Sequence, residues 1–330
     1  CRACTPRSRI DSRVSASRPK SERAARSRPW RALALVLVSG LGLVACEREP
    51  QGAVGVADAG YQATLIEQLI DAKPGQVIEI PPGRYAFDRS LTLRTDGVTL
   101  RGAGMDKTVL TFAGQKSGAE GLLVNASGFT LENLAIEDTK GDAVKINEGE
   151  RITLRRLRIE WTGGPKTTNG AYGLYPVRTR KVLIEDCVVR GASDAGIYVG
   201  QSTDIIVRRN RVEFNVAGIE IENSRRADVY DNEVTRNTGG ILVFNMPNLP
   251  EAGVGTRVFN NRIYENNTAN FAAKGTAVAS VPAGSGVVIN ANDQVEIFDN
   301  ALRDNATAHI IISSYFSTGY MNSYSVAPGF

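Results

Sequence analysis

Two glutamates, Glu220 and Glu222, stand two residues apart in the segment GIEIE. In an extended strand that spacing sends both side chains to one face, about 6.6 Å apart along the backbone. The separation overlaps the roughly 6.5–9.5 Å between the acid and base of an inverting glycoside hydrolase. That chemistry needs one carboxyl held protonated by burial, whereas alternation on a half-exposed strand predicts two solvated carboxylates. The same alternation aligns Lys145, Tyr175, Tyr198, Glu220, Leu242, Val288 and Ile311 in one outward column. A second column holds Asn147, Val177, Gly200, Glu222, Phe244, Asn290 and Ser313. Together they make a shallow strip in which tyrosine rings suit the apolar face of a sugar and acids suit its hydroxyls. Glu220 and Glu222 are therefore the candidate catalytic pair; Tyr175, Tyr198, Lys145, Arg178 and Asn290 are the candidate substrate-binding set.

Other chemistries find little support. His309 is the only histidine, so a histidine dyad or a multi-histidine metal site is excluded. Met105, Met246 and Met321 are scattered and Cys187 reads as a small core residue, which gives no copper-type ligand cluster. No metal site is expected from the residues alone. The glycines recur at turns and form no phosphate-cradling loop.

The elements that carry these residues repeat. Segments opening on a small residue begin at 121 (GLLVN), 142 (DAVKI), 173 (GLYPV), 196 (GIYVG), 218 (GIEIE), 240 (GILVF) and 286 (GVVIN), with successive intervals of 23, 22 and 22 from 173 to 240. Asn210, Asn232, Asn261 and Asn300 keep step with them, and each has another asparagine five residues on, at Asn215, Asn237, Asn266 and Asn305. Short apolar alternations broken by Gly, Asn and Asp are brief strands and tight turns. A period of about 22 suits three strands per coil, stacked at about 4.8 Å. The expected fold is therefore all-β: a right-handed parallel β-helix over residues 62–330. Its asparagines stack as amide ladders at the turns. Residues 62–72 (QATLIEQLIDA) predict a short amphipathic helix with Leu65, Ile66, Leu69 and Ile70 on one face, capping the first coil. Two excursions, Trp161 to Tyr172 and Phe244 to Gly286, leave the period and flank the strip; the second contains a further strand pair around Val258 to Tyr264. The end, SYFSTGYMNSYSVAPGF, has neither a capping helix nor a completed coil, which reads as a C-terminally truncated fold.

The formal charge of +4 is misleading. Residues 1–45 hold ten basic residues against Asp11 and Glu22, so Cys46 onward carries 29 basic and 33 acidic residues, near −4. That body gives no support to nucleic-acid binding. The segment RALALVLVSGLGLVAC, from Arg31 to Cys46, has the basic flank, short apolar stretch and small residues of an export signal. Residues 1–45 thus read as a signal peptide, with 1–13 as untranslated sequence ahead of a start near Val14. Leu43-Val44-Ala45-Cys46 resembles the bacterial lipobox, which makes Cys46 the expected lipidation site and membrane anchor. Residues 46–61 form its linker, and the cell envelope, periplasmic or outer surface, is the expected location.

The phrase GQVIEIPPGRY (residues 75–85), followed by repeats of the form GIxI…(I/V)xxNxV…N, resembles the right-handed β-helix proteins grouped with pectin lyases and with NosD-type periplasmic proteins. It is most similar to exported parallel β-helix repeat lipoproteins. The resemblance covers about residues 62–330. It implies a polysaccharide partner and, for an enzyme, polysaccharide lyase or glycoside hydrolase activity, with Ca²⁺ as a lyase's cofactor. It also admits a non-catalytic accessory or scaffold of a periplasmic redox or metal-maturation system. The polygalacturonase Asn-Thr-Asp and Asp-Asp pattern and the epimerase Asp-Pro-His-Asp are both missing, so no standard family mechanism transfers.

Overall fold

Wherever aliphatic residues recur at every second position, the chain is strand, and the strands close into triangular coils. The computed structural model describes residues 60–319. The export segment, Cys46 and almost all of the linker lie outside the described residues, as do residues 320–330.

The capping helix spans Tyr61–Ile70 and packs on strand Arg89–Leu93 of the first coil. Leu65 and Leu69 are buried, whereas Ile66 is only partly so and Ile70 is 74% exposed. The buried stripe is thus narrower than the four residues expected, because the helix lies over the end of one coil and Ile70 overhangs it. Tyr61 stacks on Tyr85 at 4.0 Å, fastening the helix to that coil.

Every strand pairing is parallel, and each strand meets its counterpart one coil away. On the first face, Ala195–Gly200, Ala217–Glu222, Gly239–Phe244, Ser285–Asn290 and Ala308–Ser313 stack in register, with Ile197 on Ile219, Ile219 on Ile241, Ile241 on Val287 and Val287 on Ile310. Thr203–Arg208, Arg225–Tyr230 and Val254–Phe259 continue on the second face. Arg211–Glu213, Glu233–Thr235 and Arg262–Tyr264 form the third. Inward Ile, Val and Leu ladders from all three faces make one continuous core. In the last described coil, paired on one side among the described residues, Ile310 and Ile312 are 42% and 77% exposed.

Two strands, Val144–Glu160 and Tyr172–Glu185, are far longer than the brief strands expected. They bend around corners without breaking because non-glycine residues take the left-handed conformation there, as Glu148, Arg151 and Arg156 do at φ 69°, 59° and 51°. The asparagine columns occupy two other corners. Asn210 donates through Nδ2 to Asn232 Oδ1 at 3.0 Å, Asn232 to Asn261 at 3.0 Å and Asn261 to Asn300 at 2.9 Å. The second column runs Asn215 to Asn237 to Asn266 to Asn305 at 3.0, 3.0 and 3.1 Å. A left-handed residue precedes each of these asparagines, from Arg209 and Phe214 to Asp299 and Asp304.

Candidate functional site

The outward columns of the first face exist in the expected register. Lys145 pairs with Tyr175, Tyr198 with Glu220, Glu220 with Leu242 and Leu242 with Val288. The second column runs Asn147, Val177, Gly200, Glu222, Phe244, Asn290 and Ser313.

The strip is not open along its length, and this corrects the expectation of solvated glutamates. Tyr198 and Glu220 are only 5% and 2% exposed, and Leu242, Phe244 and Val288 are buried. The long excursion folds back over them: Phe271, Ala272, Val278 and Val281 pack on Leu242, Phe244 and Val288 as a second apolar cluster outside the coil core. A short 3₁₀ turn, Ala277–Ser280, places Val278. Asn270 donates to the carbonyls of Val278 and Val281 at 2.9 and 3.0 Å, and the Thr268 and Gly284 amides tie the segment to Asn237 and Thr238. The other excursion is held by Trp161, whose indole donates to Thr139 at 2.8 Å, and by Asn169, which donates to Gly191 at 2.7 Å.

Burial in a largely apolar setting brings together more titratable groups than alternation revealed. Tyr172, Tyr175 and Tyr198 form a triangle with centroid separations of 4.5, 4.7 and 4.8 Å. The Tyr198 hydroxyl donates to Glu222 Oε1 at 2.8 Å. Gly200 makes that reach available: a Cβ there would lie 2.4 Å from the Tyr198 ring and hydroxyl. Asp142 accepts the Tyr172 amide at 3.3 Å and sits 3.8 Å from Lys145 Nζ. Lys145 in turn lies 4.8 Å above the Tyr175 ring centroid, a cation–π distance. Asp194 lies close enough to Tyr172 for each to act on the other's titration. Tyr315, which follows the last strand, lies near enough for the Glu222 charge to raise its phenol pKa, after burial.

The electrostatic consequence is a set of carboxyls biased toward their neutral forms. Burial pushes Asp142 up to about 6, a rise that Lys145 tempers. Burial, then the charges of Glu222 and Asp142, push Asp194 up to about 7. Glu220 is raised well above the usual range by burial and then by Asp194 and Glu222. Glu222 is raised by burial too, but the Tyr198 hydroxyl favours its ionised form. Burial also pushes the Tyr175 phenol up to about 12. Both glutamates are thus biased toward their neutral forms, Glu220 by full burial and by its acidic neighbours, and Glu222 with the Tyr198 hydroxyl partly offsetting its burial. Glu220 Oε2 has no hydrogen-bond partner.

The structure does not bring all predicted residues to this cluster. Arg178 turns away to Glu148, at 3.1 Å, and Asn147. Asn290 is 1% exposed, donates to the Asn245 carbonyl at 3.2 Å and accepts from Ser313 at 3.1 Å, so it closes a turn and presents no free amide to solvent. Asp142, Asp194 and Tyr172 went unrecognised because they stand at strand starts and turns, where alternation gives no facing. The positions 142, 172 and 194, each just ahead of a repeat's aliphatic run, were the available signal. Calcium finds no group of three or more acidic, histidine or cysteine ligands arranged for it among the described residues. Elsewhere, a groove of about 630 Å³ on the second face is lined by Lys181, Leu183, Asp204, Ile206, Arg226 and Arg257. Its charges already neutralise one another, Arg226 on Asp204 at 2.6 Å and Arg257 on Asp228 at 2.7 Å.

A family model described as the right-handed β-helix region matches residues 96–251 and 167–323. A search of curated protein sequences finds no match. Similar solved structures include the A-module of the Azotobacter vinelandii mannuronan C-5 epimerase AlgE6, at 19% identity over 78% of this chain and 76% of that one, with a TM-score of 0.49. Endopolygalacturonase I from Stereum purpureum is similar at 11% identity over 76% and 94%, TM-score 0.45. ORF18 of Geobacillus virus E2 is similar at 14% over 71% and 42%, TM-score 0.44.

Proposed function

The chain belongs to the right-handed β-helix family, and from that premise we propose that its first face binds a polysaccharide and cleaves it by acid–base hydrolysis at Glu220 and Glu222. The observation that carries the reading is the environment of the pair: Glu220 is enclosed and biased toward its neutral form, while the partly exposed Glu222 accepts the Tyr198 hydroxyl at 2.8 Å. Two carboxyls with divided roles are what glycoside hydrolysis needs. Glu220 gives its proton to the leaving glycosidic oxygen as the bond to the anomeric carbon breaks. Glu222 takes a proton from the water whose oxygen bonds to that carbon. Tyr175 and Lys145, both partly exposed, form the approach. The export signal and Cys46 fit this reading: a lipid-anchored envelope protein meets extracellular or periplasmic glycans.

Screening acidic and neutral glycans for binding, with assay of new reducing ends, tests it. Replacing Tyr175 by Ala is expected to weaken binding about tenfold, whereas Glu220→Gln leaves binding within a few-fold and lowers hydrolysis by roughly 10²–10⁴. No saccharide bound in either class overturns the reading. Binding without cleavage in the wild type favours a non-catalytic accessory or scaffold, a role consistent with the covered Glu220.

A further inference from the structure

The strip has one approachable end and one walled end: the cover begins at Tyr198 and Glu220 and is complete one layer past the acid pair, at Leu242 and Phe244. On the approach side, Lys145 and Asp142 keep 27% and 16% of their side-chain surface, and Tyr175 is half-buried. Past Glu220 and Glu222 the next layer is apolar, Leu242 and Phe244, followed by Val288 beside a buried Asn290 whose amide is already engaged, under Val278 and Val281. The wall is fastened, not draped: Asn270 staples its own turn, Gly284 N bonds Thr238 and Asn266, and Ser285 Oγ bonds Pro282. Neither Leu242 nor Val288 offers a polar atom to a hydroxyl.

A polysaccharide lying along the column would place its units over successive layers, because the strand spacing of about 4.8 Å is close to the length of one pyranose. An interior unit at Glu222 would need its chain to continue across Leu242 and Val288, which are covered. A terminal unit needs no such continuation. It also carries one hydroxyl more than an interior unit, and at the walled end stands the enclosed, unpartnered Oε2 of Glu220.

Resting on the polysaccharide reading above, we infer that the site takes a chain end and not a chain interior, with segment 265–284 as the specificity-determining block. The end unit then meets the partly exposed Glu222, and the layers headed by Tyr175 and Lys145 hold the two units behind it.

The test is binding stoichiometry on the full chain, using oligogalacturonides as acidic probes and cello-oligosaccharides as neutral ones, from dimer to octamer, together with the parent polymers. One protein per chain at every length, with affinity rising to the trimer and then level, supports the inference. Protein bound in proportion to chain length overturns it while leaving the polysaccharide reading intact. Absence of binding to both probe classes overturns both. Replacing residues 270–282 by a short Gly-Ser linker is expected to convert end-limited binding to length-proportional binding. If that variant does not fold, the wild-type stoichiometry still decides.

Discussion

Asp194 shows how far burial governs the chemistry of single residues here. Asp194 is 8% exposed, and burial with the charges of Glu222 and Asp142 pushes its carboxyl up to about 7 in the fold, against roughly 3.9 in an unfolded chain. The folded state therefore holds the extra proton. This stability contribution is full below about pH 4 and is lost as pH rises through about 7. Asp194→Asn removes the titration while keeping the side chain's size and an acceptor oxygen. Its melting temperature should match the wild type near pH 4 and exceed it by roughly 3–6 °C at pH 8; a difference that does not change with pH would contradict the buried, proton-holding carboxyl. Alternation was enough to place Glu220, Glu222, Tyr175 and Tyr198 on one surface. It could not show that the surface is covered, since that follows from where Val278 and Val281 land. Nor could it find Asp194, whose facing is set by a turn.

At the level of elements, the corners matter more than the strands. Asn237 is wholly buried. It donates to Val212 O, Thr235 O and Asn266 Oδ1 and accepts from both the amide and the side chain of Asn215. Asn237→Ala leaves several of these groups unpaired and is expected to cost on the order of 3 kcal/mol in denaturant unfolding. Asn300→Ala, at the half-open last coil, should cost about 1 kcal/mol; equal small losses would show that the ladder adds nothing. The columns were legible because amides recur at fixed spacing. The left-handed residue ahead of each was not, because Arg209, Phe214, Asp231 and Arg236 share no side-chain type that announces the conformation. The excursion after Phe244 was visible as a break in period, but its path across the first face depends on tertiary contacts of Phe271, Val278 and Val281.

Across the whole molecule, each coil touches chiefly the coils on either side, so stability accumulates by neighbours. Amides in Ala217–Glu222 and Gly239–Phe244, enclosed on both sides, should exchange with solvent slowest. Those of Ala308–Ser313, paired on one side among the described residues, should exchange roughly 10²-fold faster. Uniform protection measured by mass spectrometry would mean that the solenoid opens as one block. The period itself was the most legible feature of all, since stacking demands that aliphatics meet their own copies. Successive coils from Ala195 and from Ala217 share the same corners, amides and inward aliphatics. An in-frame duplication of one such period would therefore insert a ready-made storey, inheriting its joints from the floors above and below and presenting two new outward letters for selection to rewrite.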